Sequence, residues 1–184
     1  MSGVSTGAII ALFAFLGPEY DDALKEIYTE HTTDELATRA IFSGLTGGMA
    51  LFDTRGYRGL IDQHIDDEIV AKLAKAYREG RLLLIGTTNI DASRPVIWNI
   101  GAIAASGDPN AKRLIRDVIQ ASSAIPAAFP PVLIPVEIDG RFYWDGGLVS
   151  NTPLQFVMDN LGVDPALIFQ IDLFSARDTV PTAM

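Results

Sequence analysis

A chain of 184 residues with 48% apolar residues and a formal charge of -9 suits one globular domain large enough to bury a proper core. The acidity, with no Lys/Arg cluster in view, argues against nucleic acid, whose phosphates call for a basic face. The chain has no cysteine, which excludes thiol catalysis, disulfides and thiolate metal sites and leaves the compartment undecided.

The first distinctive stretch is Gly3-Val4-Ser5-Thr6-Gly7, which fits G-x-S-x-G, the pattern of a serine on a sharp strand-to-helix turn. A side chain at Gly3 or Gly7 is expected to collide where the turn brings the backbone together. A glycine-rich loop that merely starts a helix fits the same five residues. Residues 8–16 are nine apolar residues in a row, against the ~20 needed to cross a bilayer. Lacking a basic leader, they read as a helix buried on all sides, not as a membrane span or a secretory signal. Only four residues precede Ser5, and a buried strand runs to ~5–6. Most of that strand is therefore expected to be missing, and the chain's end also looks cut.

Pro18 suits the first position of a helix, and residues 19–31 alternate apolar and charged residues at helical spacing. Thr33 or Asp34 is placed to cap another helix running to residue 42. Residues 43–48, with Gly44, Gly47 and Gly48, read as a loop. Residues 57–65 and 66–79 suit two helices, the second with Ile69, Leu73 and Ala76 on one face and Gly80 as its stop. The run Leu82-Leu83-Leu84-Ile85 within residues 81–89 suits a strand covered on both faces. A turn at 91–94 leads to a second strand at 95–100. Asp108 as cap and Pro109 at N1 open a helix to residue 121, and 122–131 is a loop rich in small residues and proline. Strands at 132–138 and 141–144 are joined by Asp139-Gly140, a two-residue hairpin signal. Asp145-Gly146-Gly147 follows at once. Thr152-Pro153 is placed to start a helix to residue 161, and 166–172 reads as the last strand. Helices and strands recur without internal repeats, so the fold class is α/β, one domain over residues 1–184.

A serine hydroxyl needs a base to take its proton. The α/β-hydrolase order places an acid and then a histidine after the serine, and neither histidine of this chain, His31 or His64, follows a suitable acid. Each reads as a solvated or capping residue. That leaves a carboxylate acting directly. Asp145 is the best candidate, because it comes straight off a strand, where α/β folds line their crevices. Gly146 and Gly147 let the backbone crowd a neighbouring loop. Burial would raise its pKa from about 3.9 toward a useful range. An Asx-type turn with the glycines is the structural alternative.

With Gly3-Val4-Ser5-Thr6-Gly7 and Asp145-Gly146-Gly147 in one chain, the sequence resembles the patatin-like phospholipases, lipid acyl hydrolases with a Ser–Asp dyad. Two further stretches carry the likeness: residues 121–131, from Ala121-Ser122-Ser123-Ala124-Ile125-Pro126 to Phe129-Pro130-Pro131, and Ser150-Asn151-Thr152-Pro153-Leu154. The resemblance implies a three-layer fold with a central, mostly parallel sheet flanked by helices. It implies Ser5 as nucleophile and Asp145 as general base, with neither cofactor nor metal. The family's glycine-rich oxyanion loop has no counterpart ahead of Ser5. The Thr6 N–H is left as one donor, and Gly47-Gly48 reads better as a plain loop than as a substitute.

The expected partner is a lipid or ester substrate at a membrane surface, with no nucleic acid and no transmembrane segment. Leu12, Phe13, Ile125, Phe129 and Leu148 suit an acyl pocket or ordinary core packing equally. Two other readings stay open: a truncated, inactive family member, and a non-catalytic acyl-binding module. Oligomeric state is undecided. The compartment is open between cytoplasmic and membrane-peripheral in a bacterium-like setting, and the loss of an upstream targeting segment is left open as well.

Overall fold

β1 (Ser2–Val4) lasts three residues before Ser5 turns the chain into α1 (Thr6–Leu16). The computed structural model describes residues 1–29, 54–126, 129–135 and 140–148. By its contacts the chain falls into Met1–Pro153 and Leu154–Met184, and the second unit lies outside the described residues. So do the expected helix at 33–42, the loop at 43–48, the helix from Thr152 and the strand at 166–172.

α1 buries Ala8, Ile9, Ala11, Leu12, Phe13 and Phe15, as a helix apolar all round must. It ends at Gly17, whose φ of 131° lies outside what a side chain readily permits. There the Arg81 guanidinium lies 4.2 Å from the Phe15 ring centre and donates to the Phe15 carbonyl, placing a cation at the negative end of the helix dipole. A 3-10 turn, Pro18–Tyr20, opens with Pro18 and leads into α2 (Asp21–Thr29).

α3 (Thr54–His64) and α4 (Asp67–Arg78) follow. The Asp66 side chain caps α4 by accepting from the Ile69 N–H at 2.9 Å. Ile69, Leu73 and Ala76 are buried as their spacing predicts, and Gly80 sits at φ +86°, a stop that only glycine makes without strain. β2 (Leu84–Asn89) is buried at all six positions. It pairs along its whole length with β3 (Arg94–Asn99). A short helix, α5 (Ile100–Ala105), follows β3 directly. α6 (Ala111–Ser122) then precedes β4 (Val132–Ile134) and β5 (Arg141–Asp145). Among the described residues the sheet order is β1-β2-β5-β4, with β3 paired to β2 as well. The core is filled by Leu12, Leu73, Leu83, Ile85, Ile115 and Ile119, all fully buried. Each side chain of this size contributes about 1.5–3 kcal/mol on leaving water.

α3 and α6 are tied by charge. Arg58 donates to Asp117 at 2.5 Å and to Gln120 at 2.7 Å. Arg116 donates to the carbonyls of Asp62 at 2.6 Å and Ile65 at 2.9 Å, satisfying acceptors that the end of α3 leaves unpaired.

Four sequence expectations are corrected. The described pairings are one parallel and three antiparallel, so this α/β sheet is mixed where a mostly parallel one was expected. β2–β3 and β4–β5 are joined by connections too short for a crossover, which takes a dozen or more residues. Helix α5 was not expected; its signal was Asn99, whose side chain accepts from the Ala102 N–H at 3.0 Å. Asp108 does not cap α6. It accepts from the Asn110 N–H at 2.7 Å, an Asx-type turn that delays the helix to Ala111. β4 pairs Ile134 with Arg141, so the connection is longer than the two-residue turn read from Asp139-Gly140. Among the described residues no helix is long and apolar enough to cross a membrane.

Candidate active site

The register of β2 brings Ser5 and Asp145 together. Val4 pairs with Gly86 and Asp145 pairs with Thr87, two successive residues of one strand. β1 runs parallel to β2 and β5 antiparallel, and β3 takes the other edge along the full length. The C-terminal ends of β1 and β5 therefore meet end to end on the same edge of β2. Successive positions on a strand are only ~3.3 Å apart. The residue after β1 is thus delivered to the last residue of β5.

Glycines let these ends close. A Cβ on Gly146 would lie 2.6 Å from the Gly86 carbonyl oxygen and 2.9 Å from a Val4 methyl, closer than packed atoms approach. A Cβ on Gly3 would collide with the Gly7 carbonyl oxygen, as expected of a tight elbow. Gly7 itself corrects the sequence reading, for a Cβ there meets nothing within 4 Å. The crowding falls on the strand side of the turn alone.

Ser5 has φ 58° and ψ -137°, a backbone conformation that costs a non-glycine residue of order 1–3 kcal/mol and persists only when its surroundings impose it. The surroundings are specific. Its N–H donates to Ser122 Oγ at 3.0 Å. Its carbonyl accepts from the Ala8 N–H at 2.9 Å and from Ser123 Oγ at 3.2 Å. An N-cap serine ordinarily spends its side-chain oxygen on the first turn of its helix. Ser5 makes no such bond; its hydroxyl lies near enough to the Asp145 carboxylate to lower that group's pKa.

Asp145 is 5% exposed. Its N–H donates to the Ala124 carbonyl at 3.1 Å, and its own carbonyl accepts from Thr88 Oγ1 at 3.0 Å. Oδ1 accepts from the Gly147 N–H at 2.8 Å. Burial pushes the carboxyl above the usual aspartate range, while the bonds from Ser5 and Gly147 pull it partly back. No cation contributes among the described residues. The Asx-type bond from Gly147 is present, and the same carboxylate is the one that the Ser5 hydroxyl influences. A buried carboxylate at a strand end with a raised pKa, beside a serine hydroxyl, can accept that hydroxyl's proton.

Thr6 occupies the first position of α1, and Gly147 lies in the 3-10 turn Gly146–Leu148. Ile125 and Leu148, beside the Asp145 end of the site, are 47% and 56% exposed. Phe129 is half-buried, while Leu12 and Phe13 belong to the core. Gly47, Gly48 and His31 lie outside the described residues. His64 corrects its reading as a solvated histidine. Its side chain is 12% exposed, set edge-on to Phe13 with ring centres 6.2 Å apart, and it lines a small apolar cavity with Leu12, Ile61 and Ile119. The amphipathic spacing of α3 turns it inward. Among the described residues no group of three or more His, Cys, Asp or Glu has the spacing to hold a metal ion.

Sequence reasoning missed Ser122 and Ser123 as partners of Ser5. They were visible as two serines at the end of a helix, but their targets lie more than a hundred residues away, and no local pattern encodes that.

A family model described as Patatin-like phospholipase matches residues 1–158. An uncharacterized protein of Acanthamoeba polyphaga mimivirus is 26% identical over 163 residues, covering 88% of this chain and 51% of that protein. The chain thus spans about half the length of this curated relative. With 158 of its 184 positions inside the family match, the chain belongs to the patatin-like phospholipase family.

Proposed function

We propose that this patatin-like chain is a serine-dependent lipid acyl hydrolase, with Ser5 as nucleophile and Asp145 as its general base. The observation that carries the reading is the register that sets Val4 against Gly86 and Asp145 against Thr87, which brings the Ser5 hydroxyl beside a buried carboxylate held above its ordinary pKa. As Ser5 Oγ attacks the ester carbonyl carbon, its proton passes to Asp145. The carbonyl π electrons move onto oxygen, and the Thr6 N–H at the positive end of α1 faces that charge as one donor. Collapse of the tetrahedral intermediate breaks the ester bond, and the proton on Asp145 goes to the leaving alkoxide. Water then attacks the acyl-enzyme, gives a proton to Asp145, and the fatty acid leaves as Ser5 takes that proton back. The partly exposed Ile125 and Leu148 support a substrate with an apolar tail.

A fluorophosphonate probe and a p-nitrophenyl ester test the assignment. Wild type is expected to label and turn over, and Ser5→Ala to do neither. Equal labelling of the two proteins would sink the mechanism. Fatty-acid binding without turnover would point to an acyl-binding module instead.

A further inference from the structure

We propose that Ser122 and Ser123, at the C-terminal end of α6, are positioning residues that hold the nucleophile in its strained turn and in register with its base. The inference rests on the dyad reading above.

Three consecutive residues there engage both halves of the dyad through its backbone. Ser122 Oγ accepts from the Ser5 N–H at 3.0 Å and donates to the Gly86 carbonyl at 2.7 Å. Ser123 Oγ lies within donating distance of the Ser5 carbonyl at 3.2 Å and the Ile119 carbonyl at 3.1 Å, and shares its single proton between them. The Ala124 carbonyl accepts the Asp145 N–H at 3.1 Å. Neither serine touches the Ser5 hydroxyl, so neither moves a proton. Both act through the backbone of Ser5.

Chemistry explains why hydroxyls serve here. Ser122 Oγ must accept from one strand end and donate to its neighbour, and a hydroxyl does both from a single atom. Ser122 is fully buried, which shields its two bonds from competition with water. The turn conformation is intrinsically costly. A bond from the end of α6 to each backbone polar group of Ser5 supplies a constraint on that conformation. Gly86, the acceptor of the Ser122 proton, pairs with Val4 on one side, and its carbonyl also lies against Gly146. The Ser122 hydroxyl therefore joins the elbow to the point where both strand ends converge. Small displacements of a nucleophile from its base are expensive in rate, at about 10²-fold for roughly 1 Å.

The test uses the full chain, fluorophosphonate labelling kinetics and amide exchange. Ser122→Ala is expected to lower the labelling rate constant and kcat by about 10- to 100-fold, with KM little changed. Ser122→Cys, similar in size and still a weak donor and acceptor, is expected to recover part of the rate. Ser123→Ala is expected to show a smaller loss, about threefold to tenfold, because the Ala8 N–H still holds the Ser5 carbonyl. A merely structural role would reduce the fraction of protein labelled, or its melting temperature, and leave the rate constant of the folded fraction unchanged. Exchange of the Ser5 N–H, expected to quicken at least about tenfold in Ser122→Ala, reads the contact without reference to activity. Wild-type rate constants in both alanine variants, or unaltered Ser5 exchange in Ser122→Ala, would overturn the inference while Ser5→Ala still abolishes labelling. Labelling that survives in Ser5→Ala would instead remove the dyad reading, and this inference with it.

Discussion

Asp117 and Asp145 are both 5% exposed, yet their surroundings differ in kind. Asp117 lies on α6 and meets Arg58 at 2.5 Å and Arg113 at 3.6 Å. Its charge is matched by two guanidinium groups, of which Arg58 ties α3 to α6 and Arg113 lies one turn away on α6 itself. Asp145 has no such partner among the described residues, only a serine hydroxyl and one peptide N–H. Burial without a cation holds its carboxyl above the ordinary range. A buried carboxylate that meets a cation braces a seam, whereas one that meets a hydroxyl is free to take a proton. The physical difference is what stabilises the charged form when water is removed.

The sharpest way to break the contrast is to neutralise each aspartate in turn. Under the proposed mechanism Asp145→Asn keeps the size and removes the base, so kcat for an ester is expected to fall about 10³- to 10⁴-fold. Asp117→Asn is expected to leave kcat per folded molecule within about twofold, since it touches no reacting atom. Comparable losses in the two variants, measured on folded protein, would erase the distinction.

Stability should respond the other way. Removing Asp117 strips a charge-assisted bond from Arg58 and is expected to cost about 2–3 kcal/mol in denaturant unfolding. Asp145→Asn is expected to be neutral or stabilising at pH 7. A carboxyl whose folded pKa lies above its ordinary value binds protons more tightly folded than unfolded. Its contribution to stability therefore declines as pH rises from 3.8 through the raised value. The Asp145→Asn protein would lack that decline, so the gap between variant and wild type should narrow on acidification. The same raised pKa puts the acid limb of the kcat/KM profile above pH 3.8, a placement that steady-state rates across pH would check.

The glycines offer the finest test. Gly146→Ala drives a Cβ against the Gly86 backbone at 2.6 Å and is expected to cost about 1–3 kcal/mol, together with activity. Gly7→Ala finds open space in the first turn of α1 and is expected to be stabilising by about 0.5–1 kcal/mol. Calorimetry on the two variants, with opposite signs expected, would show whether the crowding at this site is as one-sided as the geometry has it.

Much of this was legible along the chain. The apolar run of α1, the face of α4 with Ile69, Leu73 and Ala76, and the buried run of β2 are local patterns, and local patterns are what hydrophobic periodicity records. The strand-to-helix turn at Ser5 and the strand end at Asp145 were legible too, because so tight a turn needs its glycine at Gly3 and a strand end crowded against β2 needs Gly146. The inward turn of His64, the openness at Gly7 and the mixed pairing of the sheet were not. Each depends on which surface a residue meets, and that surface comes from another part of the chain.

The sequence by itself determined that a serine would stand at a strand-to-helix turn and that an acid would stand at a later strand end. Only the tertiary structure decided that they would come together. That requires β1 and β5 to end against adjacent residues of β2, Gly86 and Thr87. It also places Ser122, Ser123 and Ala124 where they bond the two strand ends. Register is a relation between strands far apart in the chain, set by how their buried faces fit together, and no stretch of residues carries it alone.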